Sequence, residues 1–439
     1  MPNEPAGTAR SLQRAAPGPD WLDERVRALR SSPTLAINEL SNRLQREGRI
    51  IYKLGLGQSP FPVPVRVVAA LKQHAHEKDY LPVKGLPQLR EAVAEHHRTL
   101  QALEFRADDI LIGPGSKELM FLTQLVLDAQ LLVPSPSWVS YVPQAHLAGR
   151  AVMWIPTRRE DHWHLTPNAL ESALAVAHAG PRLLILNSPS NPNGYRVERE
   201  ALKGLARVAR EHRLIVIADE IYGLLDHTGE ALSLATFYPE GTIVSSGLSK
   251  WCGAGGWRLG TFAFAPQLRW LIDAVAVGAS ETFSAVSAPI QYAAVTAFRG
   301  GPDIDLFLRD SRRILRALGS RCTRMLSAAG ALVVEPHGGF YLFPDFTPLA
   351  ARLAQRGVRS GAELCRRLLA ETGVATLPGS AFGRPDEELT LRLSYVDFDG
   401  AAALAAVQED RTDPLDDVYL EQYCPRVLEA VGLMARWVA

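Results

Sequence analysis

Five short apolar runs, each ending in a cluster of polar, glycine or proline residues, constrain the fold of this chain most strongly. The runs are 110–112, 131–133, 183–186, 214–218 and 242–244. Continuous apolar runs of this length are typical of strands buried on both faces. Helical patterns separate them, for example at 117–127 and 199–212. This alternation predicts an α/β domain built on a mainly parallel sheet.

The later part of the chain has a different pattern. Helical periodicity dominates residues 304–328, a strand-like hairpin follows over 331–346, and an apolar strand pattern lies at 389–395. A chain of 439 residues is also too long for one small core. These observations predict two domains, of which the second is α+β.

Charge and composition exclude several classes of function. Lys plus Arg and Asp plus Glu both number 47, which argues against a general nucleic-acid or acidic-membrane surface. No apolar run reaches the ~18 residues that cross a bilayer. The four cysteines form no CxxC pair, so neither a zinc site nor a disulfide framework is indicated. We therefore expect a cytoplasmic protein without a metal, a membrane or a nucleic-acid partner.

A lysine among small residues indicates the chemistry. In residues 246–260, Lys250 stands among serine, glycine and alanine, and Arg258 follows eight positions later. Small neighbours allow a planar ligand to lie against the backbone, and a lysine amine can form a Schiff base with an aldehyde. Arginine is suited to clamping a phosphate. An amine with a phosphate clamp describes a pyridoxal 5'-phosphate (PLP) site, whereas the alternative is a solvated loop lysine.

Two further segments lie where strands are predicted to end, which is where ligands bind in parallel sheets. Asp219 and Tyr222 follow the run at 214–218, and a carboxylate there can pair with the pyridine nitrogen of PLP. A helix N-cap is the alternative for Asp219. Residues 113–117 end one strand and begin a helix, whose free N–H groups either bind a phosphate or form an ordinary helix start.

Among the other polar residues, one is a candidate for ligand binding and several have no predicted role in the site. Arg392 stands inside an apolar strand pattern, and a buried guanidinium needs an anionic partner, either an internal carboxylate or a ligand. His162 and His164 lack a third ligand at a convincing spacing, so no metal site is predicted. His96 and His97 are expected on an exposed helix face.

Together these motifs resemble those of the class I/II aminotransferases, fold-type-I PLP enzymes of the aspartate aminotransferase superfamily. The likeness extends from about residue 33 to the C-terminus, with the motifs in family order. It implies a large PLP-binding α/β domain over 61–319 and a small α+β domain over 31–60 and 320–439. Residues 1–30 are then expected to form a mobile N-terminal arm.

The resemblance also implies roles for individual residues. Lys250 would hold PLP as a Schiff base, with Asp219 and Tyr222 as its catalytic partners. Gly57, Asn191 and Arg392 would bind the substrate, Arg392 through the α-carboxylate. The other cofactor-binding positions that the resemblance implies are Tyr80, Gly115, Ser116, Lys117, Trp138, Asn191, Ser249 and Arg258. Tyr80 would reach the phosphate of a second subunit, which implies a homodimer with shared active sites.

The implied reaction moves an amino group between an L-amino acid and a 2-oxo acid. The same residues could also support β- or γ-elimination, replacement or cyclisation, which is the alternative function. Gly247 stands where the family often has a phosphate-binding serine, so Ser246 or Ser249 would substitute for it. Residues 279–284 lack the arginine of the dicarboxylate-specific members. Lys84 either reaches a substrate or is a surface lysine.

Overall fold

The computed structural model describes residues 21–29, 32–230, 232–407 and 415–439. Residues 21–29 belong to a separate unit and are described by themselves. They contain the short helix α1 (Glu24–Arg27), which begins after Asp23, whose carboxylate accepts a hydrogen bond from the Arg25 N–H at 2.9 Å. Positions 1–20 and 30 of the expected mobile arm lie outside the described residues, so the arm stays a prediction.

A seven-stranded sheet forms the centre of the fold. Its strands, in the order β2-β8-β7-β6-β5-β3-β4, are β2 (Ile110–Gly113), β3 (Gln130–Ser135), β4 (Val152–Pro156), β5 (Arg182–Asn187), β6 (Ile215–Asp219), β7 (Thr242–Gly247) and β8 (Gly260–Phe264). Strand β8 runs antiparallel to both of its neighbours, β2 and β7, and the other strand pairs of this sheet are parallel. All five apolar runs are strands of this sheet, so the predicted mainly parallel α/β architecture is confirmed.

Helices cover both faces of this sheet because its strands are apolar on both sides. The helices of this region are α3 (Val65–Gln73), α4 (Pro87–Gln101), α5 (Ser116–Val126), α6 (Tyr141–Leu147), α7 (Pro167–Val176), α8 (Arg199–Glu211), α9 (Arg269–Ser280) and α10 (Ala288–Arg299). One apolar cluster joins α5, α6 and α9 to the strands, and another joins α7 and α8 to them. His97, on α4, is only 4% exposed, so the expectation of an exposed position was wrong.

Two smaller sheets lie outside the seven-stranded sheet, and one of them joins a strand near the start of the chain to a strand in its C-terminal part. Strand β1 (Tyr52–Lys53) pairs in parallel with β10 (Val374–Ala375). The other sheet has the order β11-β12-β9, formed by β11 (Leu377–Pro378), β12 (Leu391–Ser394) and β9 (Tyr341–Leu342). This region confirms the predicted α+β character, while the exact domain limits stay a prediction.

The helices around these small sheets complete the chain. They are α2 (Pro33–Arg46), α11 (Pro302–Ala328), α12 (Ala350–Gln355), α13 (Gly361–Thr372), α14 (Gly400–Val407), α15 (Asp417–Tyr423) and α16 (Pro425–Val438). Helix α11 confirms the helical periodicity predicted for 304–328. In the described parts of the chain, every helix is too short or too polar to cross a membrane.

Candidate active site

A cavity of about 440 Å³ lies where the strands of the large sheet end. Eleven of the thirteen predicted site residues line it: Gly57, Ser116, Lys117, Trp138, Asn191, Asp219, Tyr222, Ser249, Lys250, Arg258 and Arg392. Gly115 is not part of this lining, but it directly precedes Ser116, which is. Tyr80 is 97% exposed and does not line the cavity of this chain. The fold therefore brings together residues that are far apart in sequence.

Asp219 is the last residue of β6, and its carboxylate is buried. It accepts hydrogen bonds from Tyr141 Oη at 2.5 Å and from Ser245 Oγ at 3.1 Å. Burial raises the pKa of Asp219 to about 6, although these hydrogen bonds oppose the shift. The short helix that follows begins only at Gly223 and has no side-chain cap. Asp219 is therefore not its N-cap, and its carboxylate remains available at the cavity.

Lys250 follows strand β7 and reaches across the cavity. Its Nζ donates a hydrogen bond to the Gly57 carbonyl at 2.7 Å and lies 5.6 Å from the centre of the Tyr222 ring. The Tyr222 hydroxyl lies 2.9 Å from the Tyr341 hydroxyl, and burial raises the pKa of Tyr222 well above its ordinary value. The lysine amine and two tyrosine hydroxyls thus face one space.

Positive charge collects at the start of helix α5. Gly115 has φ 89°, a backbone conformation that favours glycine, and a Cβ on it would lie 2.2 Å from Arg258 Nη2, so the guanidinium packs directly against the backbone here. The side chain of Lys117 also lines the cavity, where burial and then the charge of Arg258 lower its pKa. The first N–H groups of a helix have no partner within the helix. Two cations beside free N–H groups suit a phosphate.

Arg392 is 1% exposed, and it forms no ion pair with any described residue. Its Nη1 donates to Asn191 Oδ1 at 3.1 Å and its Nη2 to the Gly55 carbonyl at 2.5 Å, while Nε has no partner. The guanidinium carbon lies 4.8 Å from the centre of the Tyr341 ring. The structure therefore offers this buried cation no internal carboxylate, and an anionic ligand is the remaining partner.

Several details bear on positions whose role the sequence left open. A Cβ on Gly247 would lie 2.6 Å from the Leu259 carbonyl oxygen, so a serine does not fit there. Of the two alternative serines, Ser249 lines the cavity and Ser246 does not. Lys84 Nζ lies 2.6 Å from Asp273 Oδ1, which makes it a surface ion pair.

Sequence reasoning missed several side chains that contact the predicted residues, among them Tyr141, Ser245 and Tyr341. Tyr141 belongs to the segment from which Trp138 was chosen, and Ser245 lies in the strand before Lys250. The pairing of Asp219 with Ser245 in the sheet register could have indicated the latter. Tyr341 gave no signal, because its proximity to Tyr222 depends on tertiary packing.

Comparison with known proteins identifies the family. The family model for aminotransferase class I and II matches residues 49–405, and the chain belongs to this family. The aspartate aminotransferase of Bacillus sp. (strain YM-2) is 34% identical over 387 residues, which cover 86% of this chain and 95% of the relative. The asparagine–oxo-acid transaminase of Streptococcus mutans is 30% identical over 384 residues, covering 85% and 94%.

Solved structures agree with this assignment. The aspartate aminotransferase of Thermus thermophilus with maleate superposes with a TM-score of 0.81 at 29% identity, covering 95% of this chain and 99% of the other. The fold is that of the fold-type-I aminotransferases. The protein is an aminotransferase that moves an amino group between an amino acid and a 2-oxo acid. The elimination and replacement alternative is not favoured.

Proposed function

We propose that the cofactor is PLP, bound in the cavity described above and held covalently by Lys250. One observation carries this proposal: an amine, a buried carboxylate and a phosphate-binding group line the same cavity. The group at the start of α5, with Ser116, Lys117 and Arg258, would bind the phosphate. When bound, PLP supplies an electron-withdrawing ring that stabilises negative charge on the substrate Cα.

In this proposal Asp219 keeps the ring nitrogen protonated. The carboxylate is fixed by Tyr141 and Ser245, and a neighbouring ring cation would favour its ionised form. Tyr222 would donate a hydrogen bond to the phenolic oxygen, and the Asn191 amide nitrogen would donate another. Trp138 would stack on the ring. The cofactor would thus be oriented by residues from five separate segments.

Arg392 and Lys250 would act on the substrate. Arg392 would bind the α-carboxylate, the anion that its buried guanidinium lacks. Lys250 Nζ would then remove the α-proton and return it to the cofactor carbon, as general base and acid. The Gly57 carbonyl, 2.7 Å from Nζ, would hold the amine in place between these steps.

We further propose that the amino donor carries a second carboxylate or a carboxamide, as aspartate and asparagine do. The names of the relatives support this donor class. Residues 279–284 contain no arginine, so a polar substrate side chain needs another partner in the cavity. Thr34 lines the cavity, and its hydroxyl is buried without a partner. This hydroxyl suits a polar substrate side chain.

We also retain the proposal of a cytoplasmic homodimer. Tyr80 is 97% exposed and Val65 is 85% exposed in the single chain. Large exposed side chains of this kind are suited to burial in an interface. Tyr80 would then reach the phosphate site of the second subunit.

The test is an absorbance titration of the purified holoenzyme against single amino acids with no oxo acid present. We expect aspartate or asparagine to convert the cofactor to its amine form and to release one equivalent of the matching oxo acid. Conversion by apolar amino acids only would overturn the donor class. Turnover to ammonia with an unchanged cofactor would overturn the proposed mechanism, and failure to bind added PLP would overturn the cofactor.

A further inference from the structure

A short turn, residues 379–384, joins strand β11 of a small sheet to strand β3 of the large sheet. The turn begins directly after β11, and Ser135 is the last residue of β3. The Ser137 N–H donates to the Phe382 carbonyl at 3.0 Å, and Ser135 Oγ donates to the Gly383 carbonyl at 2.6 Å. The main chain of the turn is therefore attached to the end of β3.

Arg384 ends this turn and extends its attachment to the large sheet. Its Nη1 donates to the carbonyls of Ser135 at 3.0 Å and Thr157 at 3.2 Å, and Thr157 directly follows β4. Its Nε and Nη2 donate to the two carboxylate oxygens of Glu388 at 2.8 and 2.5 Å. A planar guanidinium can bind partners on several sides at once, which the single nitrogen of a lysine cannot.

A row of aromatic rings leads from Arg384 to the candidate active site. The guanidinium carbon of Arg384 lies 4.7 Å from the centre of the Trp163 ring. The Trp163 and Phe343 rings lie 5.8 Å apart, and the Phe343 and Phe382 rings 6.1 Å apart. All three rings are buried in one apolar cluster. The centre of the last ring, Phe382, lies 4.9 Å from the guanidinium carbon of Arg392.

Phe382 is thus one of two aromatic residues beside the buried guanidinium of Arg392. The other is Tyr341, at 4.8 Å. Contacts between a cation and an aromatic face are strongest where water is excluded, as it is around Arg392. The position of the Phe382 ring depends on the turn that carries it, and Arg384 attaches that turn to the large sheet.

We propose that Arg384 is a positioning residue for substrate binding. It attaches the turn 379–384 to the ends of β3 and β4, and thereby holds the Phe382 ring against the guanidinium of Arg392. Arg384 itself does not line the cavity, so it acts through Phe382 and not on the substrate. This inference rests on the proposed function, in which Arg392 binds the α-carboxylate.

The test is steady-state kinetics of the holoenzyme with aspartate or asparagine as the varied amino donor. Arg384→Met keeps the length of the side chain and removes its N–H donors. We expect KM to rise about fivefold with kcat within twofold, because carboxylate binding is weakened while Lys250 is unchanged. Arg384→Lys still pairs with Glu388 but cannot reach both carbonyls, so it should raise KM about threefold. This milder variant serves if Arg384→Met does not fold.

Arg159→Met is the matched control. Arg159 also joins the segment after β4 to the C-terminal part of the chain, through an ion pair with Asp345 at 2.9 Å. Its side-chain hydrogen bonds go to Asp345 and Glu160, not to the turn 379–384. We expect this variant to leave KM within about twofold. An equal rise of KM in Arg159→Met and Arg384→Met would overturn the proposal.

A double-mutant cycle with Phe382 tests the route of the effect. Phe382→Leu keeps an apolar side chain and removes the ring, so we expect KM to rise about tenfold. If Arg384 acts through Phe382, adding Arg384→Met to Phe382→Leu raises KM no further. Independent effects would multiply to about fiftyfold and would overturn the proposal.

Arg392→Lys separates failure of this proposal from failure of the proposed function. An unchanged KM in Arg392→Lys would overturn the carboxylate-binding role itself. A raised KM in Arg392→Lys, with KM unchanged in Arg384→Met and Arg384→Lys, would overturn only the positioning role of Arg384. A fall in kcat with KM unchanged in the two Arg384 variants would overturn that role as well.

Discussion

The two walls of the candidate active site are built in different ways. The sheet wall, defined by Asn187, Asp219 and Lys250, comes from ends of neighbouring strands, where the register places Asn187 beside Asp219. The opposite wall is defined by Gly57, Tyr341 and Arg392, and Arg392 donates to a carbonyl 337 positions away. One wall follows from a single sheet, whereas the other depends on packing between distant segments.

The walls also differ in how their charged groups are satisfied. On the sheet wall, Asp219 accepts two side-chain hydrogen bonds, so its position is fixed before any ligand arrives. On the opposite wall, the guanidinium of Arg392 has only neutral oxygen partners and an unpaired Nε. In the proposed function, the sheet wall is therefore preorganised for the cofactor, and the substrate completes the opposite wall. Changes to the sheet wall should therefore have the larger effects.

Removing the lysine of the sheet wall should have the largest effect. We expect Lys250→Ala to lower kcat at least about 10³-fold, or ~4 kcal/mol, because the amine that moves the proton is lost. The half-reaction with an amino acid, followed by absorbance, measures this change. Lys203→Ala, an exposed lysine paired with Glu200, is the control. A loss below tenfold in Lys250→Ala would contradict the assignment.

A substitution at Glu220, the residue after Asp219, tests how much stability is lost when a carboxylate is buried beside the sheet wall. Its carboxylate accepts hydrogen bonds from Gln101 at 2.6 Å and Ser233 at 2.5 Å, and burial raises its pKa from 4.5 to about 7. Because the folded state binds this proton more tightly than the unfolded state, stability falls as pH rises from about 4.5 to about 7. The loss is on the order of 3 kcal/mol.

Glu220→Gln removes this titration, so the free energy of unfolding of the variant should gain on the wild type as pH rises. Denaturant unfolding of both proteins at pH 5 and pH 8, in the same cofactor state, measures the difference. Asp219, whose pKa is raised in the same direction, titrates in both proteins, and because its charge is one of the causes that raise the pKa of Glu220, the difference between the two proteins includes this interaction. A stability difference independent of pH would show that the charge of Glu220 carries no cost.

Asp219→Asn should come next among the changes to the sheet wall. In the proposed function this change replaces a charge-assisted hydrogen bond to the ring nitrogen with a neutral one, and we expect a loss of about 2–3 kcal/mol, or roughly 30–150-fold in kcat. Ser245→Ala keeps the carboxylate and removes only its neutral partner, so it should lose less than about tenfold. Equal effects of the two variants would mean that the charge is unimportant.

Arg392→Lys tests the opposite wall. A lysine keeps the charge but cannot bind a carboxylate in two parallel bonds, so we expect about 2 kcal/mol of weaker binding, mainly in KM. Steady-state kinetics with varied amino donor separates KM from kcat. Arg426→Lys, which changes an arginine paired with Asp397 outside the cavity, serves as the control. A change confined to kcat would argue against a carboxylate-binding role.

Tyr341→Phe should have the smallest effect, about 1 kcal/mol or fivefold in kcat/KM, because it removes one neutral hydrogen bond. Its partner is the Tyr222 hydroxyl at 2.9 Å. A double-mutant cycle with Tyr222→Phe should therefore be non-additive. Additive effects would show that the two walls are energetically independent across this contact.

The sequence predicted the sheet wall better than its surroundings. Lys250, Asp219 and Asn191 lie in segments where an apolar run stops, and the carboxyl ends of parallel strands meet at one edge. The same reasoning missed Tyr141, because nothing local shows that its hydroxyl reaches Asp219. It also placed His97 on the surface, although this histidine bonds to Gln101 and is 4% exposed.

The sequence by itself determined the strands, the mainly parallel sheet and the residues that line its ligand-binding edge. The reason is that the apolar runs, the helical patterns between them and the polar residues at the end of each run can all be read locally along the chain. Tertiary structure decided the rest. Arg392 lies without a carboxylate partner and Tyr341 meets Tyr222, both through the packing of segments far apart in the chain. Such contacts depend on the three-dimensional arrangement of side chains, which no local pattern encodes.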